Sequence, residues 1–305
     1  MKILITGGQG QLGQELKEVL FQFGDHKVIT LGHHDLDVTK MDELKKVFKT
    51  NLPEVIIHAA ANTNVDQCEL DQDSAYLVNA LGTRNVAVAA SMVGAKLVYI
   101  STDYVFNGKL GRPCTEFDEP EPINVYGRSK LAGEQYVVGL CSRYFIIRTS
   151  WLYGRHGKNF VQTMLNLARE KDEIAVVNDQ VGSPTYTKDL ANFINWLMKT
   201  ELYGIYHASN NGECSWFDFA RKIFCLAGLE HIKVRPITSK EINRPAPRPA
   251  YSVLDNYCIR LQGLPGLRPW PEALKDFFGS LCLFNLSKEV EYHDCRRKNK
   301  RINQV

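Results

Sequence analysis

Apolar residues fall into two rhythms along the first half of the chain. Lys2–Thr6, Val28–Leu31, Val55–His58, Lys96–Ser101 and Phe145–Arg148 are short, apolar-rich runs, the signature of strands buried on both faces. Between them, Leu12–Phe23 places apolar residues at 12, 16, 19, 20 and 23, one face of a helix. Met41–Lys49, the Ala-rich Ser74–Val93 and Asn124–Val138 also read as helices. Strands alternating with helices of this length predict an α/β fold, a Rossmann-like doubly wound parallel sheet with right-handed crossovers.

Beyond about residue 150 the pattern loosens. Asn159–Arg169 and Lys188–Met198 read as helices, Gly204–Ala208 as a strand, and Ser215–Ala227 as a helix with Ser215 as N-cap. Arg244-Pro-Ala-Pro-Arg-Pro249 cannot continue a helix and is expected as extended loop. The reading divides the chain into an NAD(P)-binding domain over 1–152, with a return segment near 186–210, and a mainly substrate-binding lobe over 153–280. A charged tail over 281–305 is expected to be disordered.

Composition narrows the function classes. At 305 residues and 44% apolar the chain can bury a large core, and no apolar run reaches the roughly 18 residues of a membrane span. No secretory leader is visible, so a cytoplasmic protein is expected. Six basic and three acidic residues in the tail account for the whole net charge of +3, and the balanced body argues against a nucleic-acid surface. The eight cysteines form no CxxC pair and no zinc spacing, so they are expected as reduced structural thiols.

Candidate chemistry begins at Thr6-Gly-Gly-Gln-Gly-Gln-Leu-Gly13, between the first strand and the first helix. Gly7, Gly10 and Gly13 permit a tight turn and close approach of backbone to a pyrophosphate, which the helix N-terminus then attracts. The second strand ends at Leu31-Gly-His-His34 with no carboxylate for a ribose 2′-hydroxyl, which favours NADP(H) over NAD(H) while leaving both open. A second signal is Tyr126-Gly-Arg-Ser-Lys130, where four-residue spacing puts phenol and ammonium on one helical face. A lysine cation beside a tyrosine is expected to lower its pKa. Ser101 and Thr102 close the fourth strand, at the sheet end where ligands bind in such folds.

The GxxGxxG form of the turn, the YxxxK pair, His58-Ala-Ala-Ala61 and Asn79-Ala-Leu-Gly-Thr83 resemble the extended short-chain dehydrogenase/reductase superfamily. Five segments are similar, more narrowly, to the dTDP-4-dehydrorhamnose reductase family. They are Ala61-Asn-Thr-Asn-Val-Asp66, Ser101-Thr-Asp-Tyr-Val-Phe106, Asn124 to Glu134, Arg148-Thr-Ser-Trp-Leu-Tyr-Gly154 and Asn178-Asp-Gln-Val-Gly-Ser-Pro-Thr185. The resemblance runs to about residue 280 and implies NAD(P)H-dependent reduction of the C4 keto group of dTDP-4-dehydro-L-rhamnose to dTDP-L-rhamnose.

By that resemblance Tyr126 is the proton donor, Lys130 its tuner and ribose ligand, and Thr102 the hydroxyl that polarises the carbonyl. Gly7, Gly10, Gln11, Leu12, Gly13, Asp37, Val38, Ala59, Ala60 and Ala61 would touch the cofactor, with Asn79 ordering backbone near the lysine. Thr63, Val65, Tyr104 and Trp151 would line the sugar pocket. Arg244 and Arg248 would meet the diphosphate, which a guanidinium suits by donating two parallel hydrogen bonds.

Departures and rivals bear on the expectation. Some family members hold Mg2+ through glutamates at a subunit contact, but Lys188 stands where an acidic partner to Glu15 is wanted, so no metal is expected. A homodimer is left open. A related dehydratase would show Thr-Asp-Glu, whereas Asp103 is followed here by Tyr104; an epimerase would retain NAD without consuming reduced cofactor. A non-catalytic NADP-binding role, like that of the regulatory subunit of methionine adenosyltransferase, is the other alternative.

Overall fold

The computed structural model describes residues 1–24 and 26–281. The first half alternates through β1 (Lys2–Thr6), α1 (Gln11–Gln22), β2 (Lys27–Leu31), α2 (Met41–Asn51) and β3 (Val55–His58). A helical run then crosses back as α3 (Val65–Leu70), α4 (Gln72–Tyr76), a π-helical turn (Leu77–Gly82) and α5 (Thr83–Met92). β4 (Lys96–Thr102), α6 (Val125–Leu140) and β5 (Tyr144–Thr149) complete it. Next come β6 (Leu152–Tyr153), α7 (Phe160–Leu167), β7 (Glu173–Val177), β8 (Val181–Gly182) and β9 (Thr185–Tyr186). They are followed by α8 (Thr187–Leu197), β10 (Gly204–His207), β11 (Cys214–Ser215), α9 (Trp216–Leu226), β12 (Lys233–Ile237) and α10 (Tyr257–Leu261). A last helix covers 270–281. Among the described residues no helix is long and apolar enough to cross a membrane.

Six strands form one parallel sheet in the order β10-β5-β4-β3-β1-β2. The chain therefore leaves β1 to one side for β2 and returns on the other for β3, so the connections diverge above the β1–β3 pair. A crevice opens at such a switch point, beyond the carboxyl ends of the strands. Alternate residues of each strand feed two cores. Ile3, Ile5, Ile57, Val98 and Ile147 pack with Leu16 and Leu20 of α1 and Leu190 and Ile194 of α8. Leu4, Ile56, Leu97, Tyr99 and Ile146 pack the other way, on Leu44 and Phe48 of α2, Val86 of α5 and Val137 of α6. Each such burial contributes roughly 1.5–3 kcal/mol, and burial on both faces is why these runs carry no polar alternation.

A third core gathers residues from the second half, with the Tyr153 ring against those of Tyr186, Phe219 and Phe277 and with Ile174, Ile223 and Leu274 around them. β7 and β12 pair in parallel beside it. Ser215 caps α9 as expected, its side chain accepting from the Asp218 amide. Residues 242–250 form neither helix nor strand, in keeping with their prolines.

The single helix expected over Ser74–Val93 is instead a broken run that starts at Val65. Asn64 and Asp71 start α3 and α4 by accepting from the amides of Gln67 and Ser74, and short polar helices of this kind have no apolar period to read. The charged tail expected from residue 281 lies outside the described residues from 282 onward.

Candidate active site

β1 runs directly into the glycine turn. Gly7 has φ +70°, and a Cβ there would stand 2.6 Å from the Ala60 nitrogen, so the turn lies flat on the strand end of β3. A Cβ on Gly13 would stand 2.3 Å from the Gly7 carbonyl oxygen. Gly10 is the N-cap of α1 with no side-chain cap, which leaves the first-turn amides to whatever lies beyond them.

Above these elements lies a cavity of about 600 Å³. Gly7, Gly10, Gln11, Leu12, Gly13, Ala59 and Ala61 line it from the glycine turn and β3. Thr102, Tyr126 and Lys130 line it from β4 and α6, Tyr104 from the turn after β4, Thr63 and Val65 from the start of α3, and Trp151 from the stretch after β5. The sheet ends thus bring together the expected catalytic trio, most of the expected cofactor wall and four of the six expected substrate residues.

The remaining six expected residues do not line the cavity. Ala60 supports Gly7 from behind. Val38 is buried against Gly82, and Asp37 accepts from the Thr39 amide and hydroxyl, which holds its carboxyl below the usual range. Asn79 sits in the π turn, donates to the Asn62 carbonyl and the Ser129 hydroxyl, and accepts from the Asn62 amide. Arg248 donates through both terminal nitrogens to Asp66, each at 2.7 Å, and Arg244 lies near enough to Arg248, Asp66 and Tyr104 to feel their charges. Both arginines are therefore at the rim beside Tyr104, with Arg248 already held by a carboxylate.

α6 is aimed by its cap. Asn124 is buried, accepts from the Gly127 amide and donates to the Pro247 carbonyl. A Cβ on Gly127 would stand 2.1 Å from the Tyr104 carbonyl oxygen, so only glycine lets the first turn of α6 approach the turn after β4. Tyr126 and Tyr104 meet edge to face at 6.0 Å. One turn on, the Lys130 ammonium donates to the Ile100 carbonyl at 2.7 Å and lies 4.1 Å over the Tyr99 ring. Burial depresses its pKa to about 7, with Glu134 opposing.

The expectation that Lys130 lowers the Tyr126 pKa is corrected. Burial drives the phenol above its ordinary value, Asp103 adds to the rise, and the Thr102 hydroxyl opposes it by hydrogen bonding. Desolvation outweighs a cation that is itself turned toward a carbonyl. The phenol is thus held protonated.

Beneath the site, His58 bridges the Thr6 and Thr83 hydroxyls at 2.7 and 3.0 Å, and burial holds its pKa down at about 3, so it is neutral. Glu134 receives a two-pronged bond from Arg148 and another from Ser101, a fully buried set under the floor of the cavity.

Several wall residues escape sequence reasoning: Asp103, Thr149, Ser150, Lys158 and Trp216. Trp216 stacks on Trp151 with ring centroids 3.4 Å apart and planes 6° from parallel. Trp151 itself has φ +46°, a left-handed conformation that costs a non-glycine residue on the order of 1–3 kcal/mol and marks functional sites. No local pattern links residues 151 and 216; only the fold does.

Compared with known proteins, the chain matches the RmlD substrate binding domain family over residues 1–282. It belongs to that family. Among RmlD relatives, a dTDP-4-dehydrorhamnose reductase of Streptomyces griseus is 42% identical over 285 residues, covering 92% of this chain and 93% of that protein. The spore coat polysaccharide biosynthesis protein SpsK of Bacillus subtilis is 45% identical over 276 residues, covering 90% of this chain and 96% of the relative. The crystal structure of the Bacillus anthracis dTDP-4-dehydrorhamnose reductase in complex with NADP superimposes with a TM-score of 0.90 at 49% identity, covering 92% of this chain and 99% of that one.

The RmlD-type cavity of this chain fits a dinucleotide. Backbone amides at the α1 N-terminus and the glycine cradle that a Cβ would fill both open onto it. A metal does not fit at Glu15. That buried carboxylate accepts from Thr187 at 3.0 Å and faces Arg155 at 3.7 Å, while Lys188 pairs with Asp276. Among the described residues no group of three or more His, Cys, Asp or Glu is placed to hold an ion.

Proposed function

We propose that this protein uses NADP(H) to reduce the C4 keto group of a dTDP-4-keto-6-deoxy sugar, dTDP-4-dehydro-L-rhamnose giving dTDP-L-rhamnose. The observation that carries the reading is one cavity into which the glycine turn, the strand-end Thr102 and the Tyr126/Lys130 pair all open. Family membership and relatives named as reductases of such sugars support it. The NADP complex of the Bacillus anthracis protein supports NADP(H), with NAD(H) as the lesser cofactor. The proposal includes a cytoplasmic setting and no part for nucleic acid or membrane.

In this proposal Gly7, Gly10, Gln11, Leu12 and Gly13 receive the pyrophosphate, Ala59 and Ala61 face the cofactor, and Lys130 holds the ribose. When bound, the nicotinamide supplies a hydride to C4. Thr63, Val65, Tyr104 and Trp151 orient the sugar. Negative charge growing on the carbonyl oxygen is met by Thr102 and Tyr126, and Tyr126 gives up its proton. A phenol held protonated by burial is in the right form for that task before each turnover. Lys158, on the cavity wall, adds a cation suited to phosphate.

The test follows absorbance of reduced nicotinamide with dTDP-4-keto-rhamnose. NADPH oxidation by the wild type and its near-complete loss in Tyr126→Phe are expected, with the variant folded by circular dichroism. Wild-type turnover in that variant overturns the assignment of the donor.

A further inference from the structure

The connection from β6 to α7, residues 154–159, is a strap from the second half of the chain laid across α1 of the first. Tyr153 before it and Phe160 after it pack in the third core. Between them Gly157, at φ +67°, rests on the first residue of α1: a Cβ there would stand 3.1 Å from the Gln11 Cβ. Gly157 and Lys158 both line the cavity. Lys158 is exposed and has no hydrogen-bond or ion-pair partner among the described residues.

Two sets of contacts fix the strap. On its own side, Asn159 donates to the Gly154 carbonyl at 2.9 Å and Gln162 to the Arg155 carbonyl at 3.1 Å, which shapes its backbone. On the α1 side, the Arg155 guanidinium pairs with Glu18 and stands 3.7 Å from Glu15, both contacts made by the same terminal nitrogen. His156 Nε2 lies 2.9 Å from the other Glu18 oxygen. Arg155 is 25% and Glu18 38% exposed, and ion pairs so open to water contribute little to stability. Their effect is one of placement: they draw the strap onto the helix end that the glycine turn opens, with a free ammonium at its tip.

We propose that Lys158 binds the diphosphate of the dinucleotide, and that Arg155 is the positioning residue that holds it there. The proposal rests on the reading of the protein as an NADP(H)-dependent reductase. It adds to that reading a cofactor ligand supplied by the second half. An anion at the N-terminus of α1 then meets backbone amides from one half and a cation from the other. A sugar nucleotide carries a diphosphate too. The seat of Gly157 on Gln11 favours that of the cofactor.

The experiment titrates NADPH into the full chain by cofactor fluorescence, at low and high salt, and measures KM for the dTDP-4-keto sugar alongside. Lys158→Gln is expected to raise the Kd for NADPH on the order of tenfold and to flatten its salt dependence. Unchanged affinity, or a salt dependence parallel to wild type, overturns the ligand assignment alone. A rise confined to KM for the sugar nucleotide assigns Lys158 to the other diphosphate and overturns the proposal. Arg155→Gln is expected to weaken NADPH in the same direction, and Arg155→Lys, which can still reach Glu18, to restore most of the affinity. The double variant Arg155→Gln/Lys158→Gln should bind no more weakly than Lys158→Gln, because the arginine acts through the lysine. Losses that multiply overturn the positioning role. The Lys158→Gln titration decides the ligand assignment even where an Arg155 variant fails to fold. A wild type that binds no NADPH overturns the reductase reading and the proposal with it.

Discussion

Gly7 and Gly94 offer a matched pair for testing what the glycine turn does. Both have left-handed backbone, φ +70° and +67°. An alanine at either is forced into a region that costs roughly 1–2 kcal/mol. Around Gly94, which follows α5, an added Cβ meets nothing within 4 Å, and the penalty stops there. At Gly7 the same Cβ would meet the Ala60 nitrogen at 2.6 Å and the Ala59 carbonyl carbon at 2.7 Å, both backbone. The strand end of β3 must move, and overpacking of this kind costs about 1–3 kcal/mol more. Gly7→Ala is therefore expected to lose roughly 2–5 kcal/mol in urea unfolding and Gly94→Ala roughly 1–2. Only Gly7→Ala should also weaken NADPH, by about tenfold or more for each 1.4 kcal/mol lost in the displaced turn, read by titrating cofactor fluorescence. Equal midpoints for the two variants, together with wild-type NADPH affinity for Gly7→Ala, would refute the claim that close approach to β3 sets the cofactor site.

Three further outcomes are expected. Trp216→Ala removes the indole behind Trp151, worth roughly 0.5–1.5 kcal/mol; KM for the sugar nucleotide should rise about two- to tenfold with KM for NADPH unmoved, and the far-ultraviolet exciton signal of the stacked pair should vanish. A rise in both KM values, or no change in either, would show that the stack does not serve the sugar side. Asp35 folds back to accept from the Gly32 amide at 2.8 Å, which puts a carboxylate at the end of β2; Asp35→Ala should raise the ratio of kcat/KM for NADPH over NADH, and a ratio unchanged or lowered counts against it. Burial depresses Lys130 from 10.5 to about 7, so between those values the unfolded chain keeps a proton that the folded chain has shed. Stability in the absence of ligand should therefore gain a rising contribution across that window and lose it as pH falls toward 7. Lys130→Met should flatten the slope, measured by urea unfolding at several pH values; an unaltered slope defeats the assignment.

The strands were legible because burial on both faces leaves runs such as Ile3–Ile5 and Val55–Ile57 apolar throughout, and the glycine turn because its chemistry is local. The π turn was not, since Leu77–Gly82 keeps helical composition while Asn79 turns inward to partners at 62 and 129. β7 and β12 escaped because their outward positions are exposed and Pro236 interrupts the second. In the site, Tyr126 and Lys130 announce themselves by four-residue spacing. Trp216 and Lys158 reach the cavity only through the packing of the second half, and Asp35 reaches the end of β2 by a turn that shows no spacing of its own. The direction of the Tyr126 shift was misread because spacing reports proximity of a cation and says nothing of solvent lost.

The sixth strand of the sheet, β10, begins about 55 residues after β5 ends. During translation at about 5–20 residues per second, the open edge of β5 waits roughly 3–11 seconds for its neighbour to be made. An unpaired edge with the apolar run Phe145–Ile147 at its centre invites pairing with another nascent chain. Stop codons or ribosomal stalls between residues 150 and 204 should for that reason yield aggregating fragments, even though every residue named here around the glycine turn and the Tyr126/Lys130 pair has by then been made.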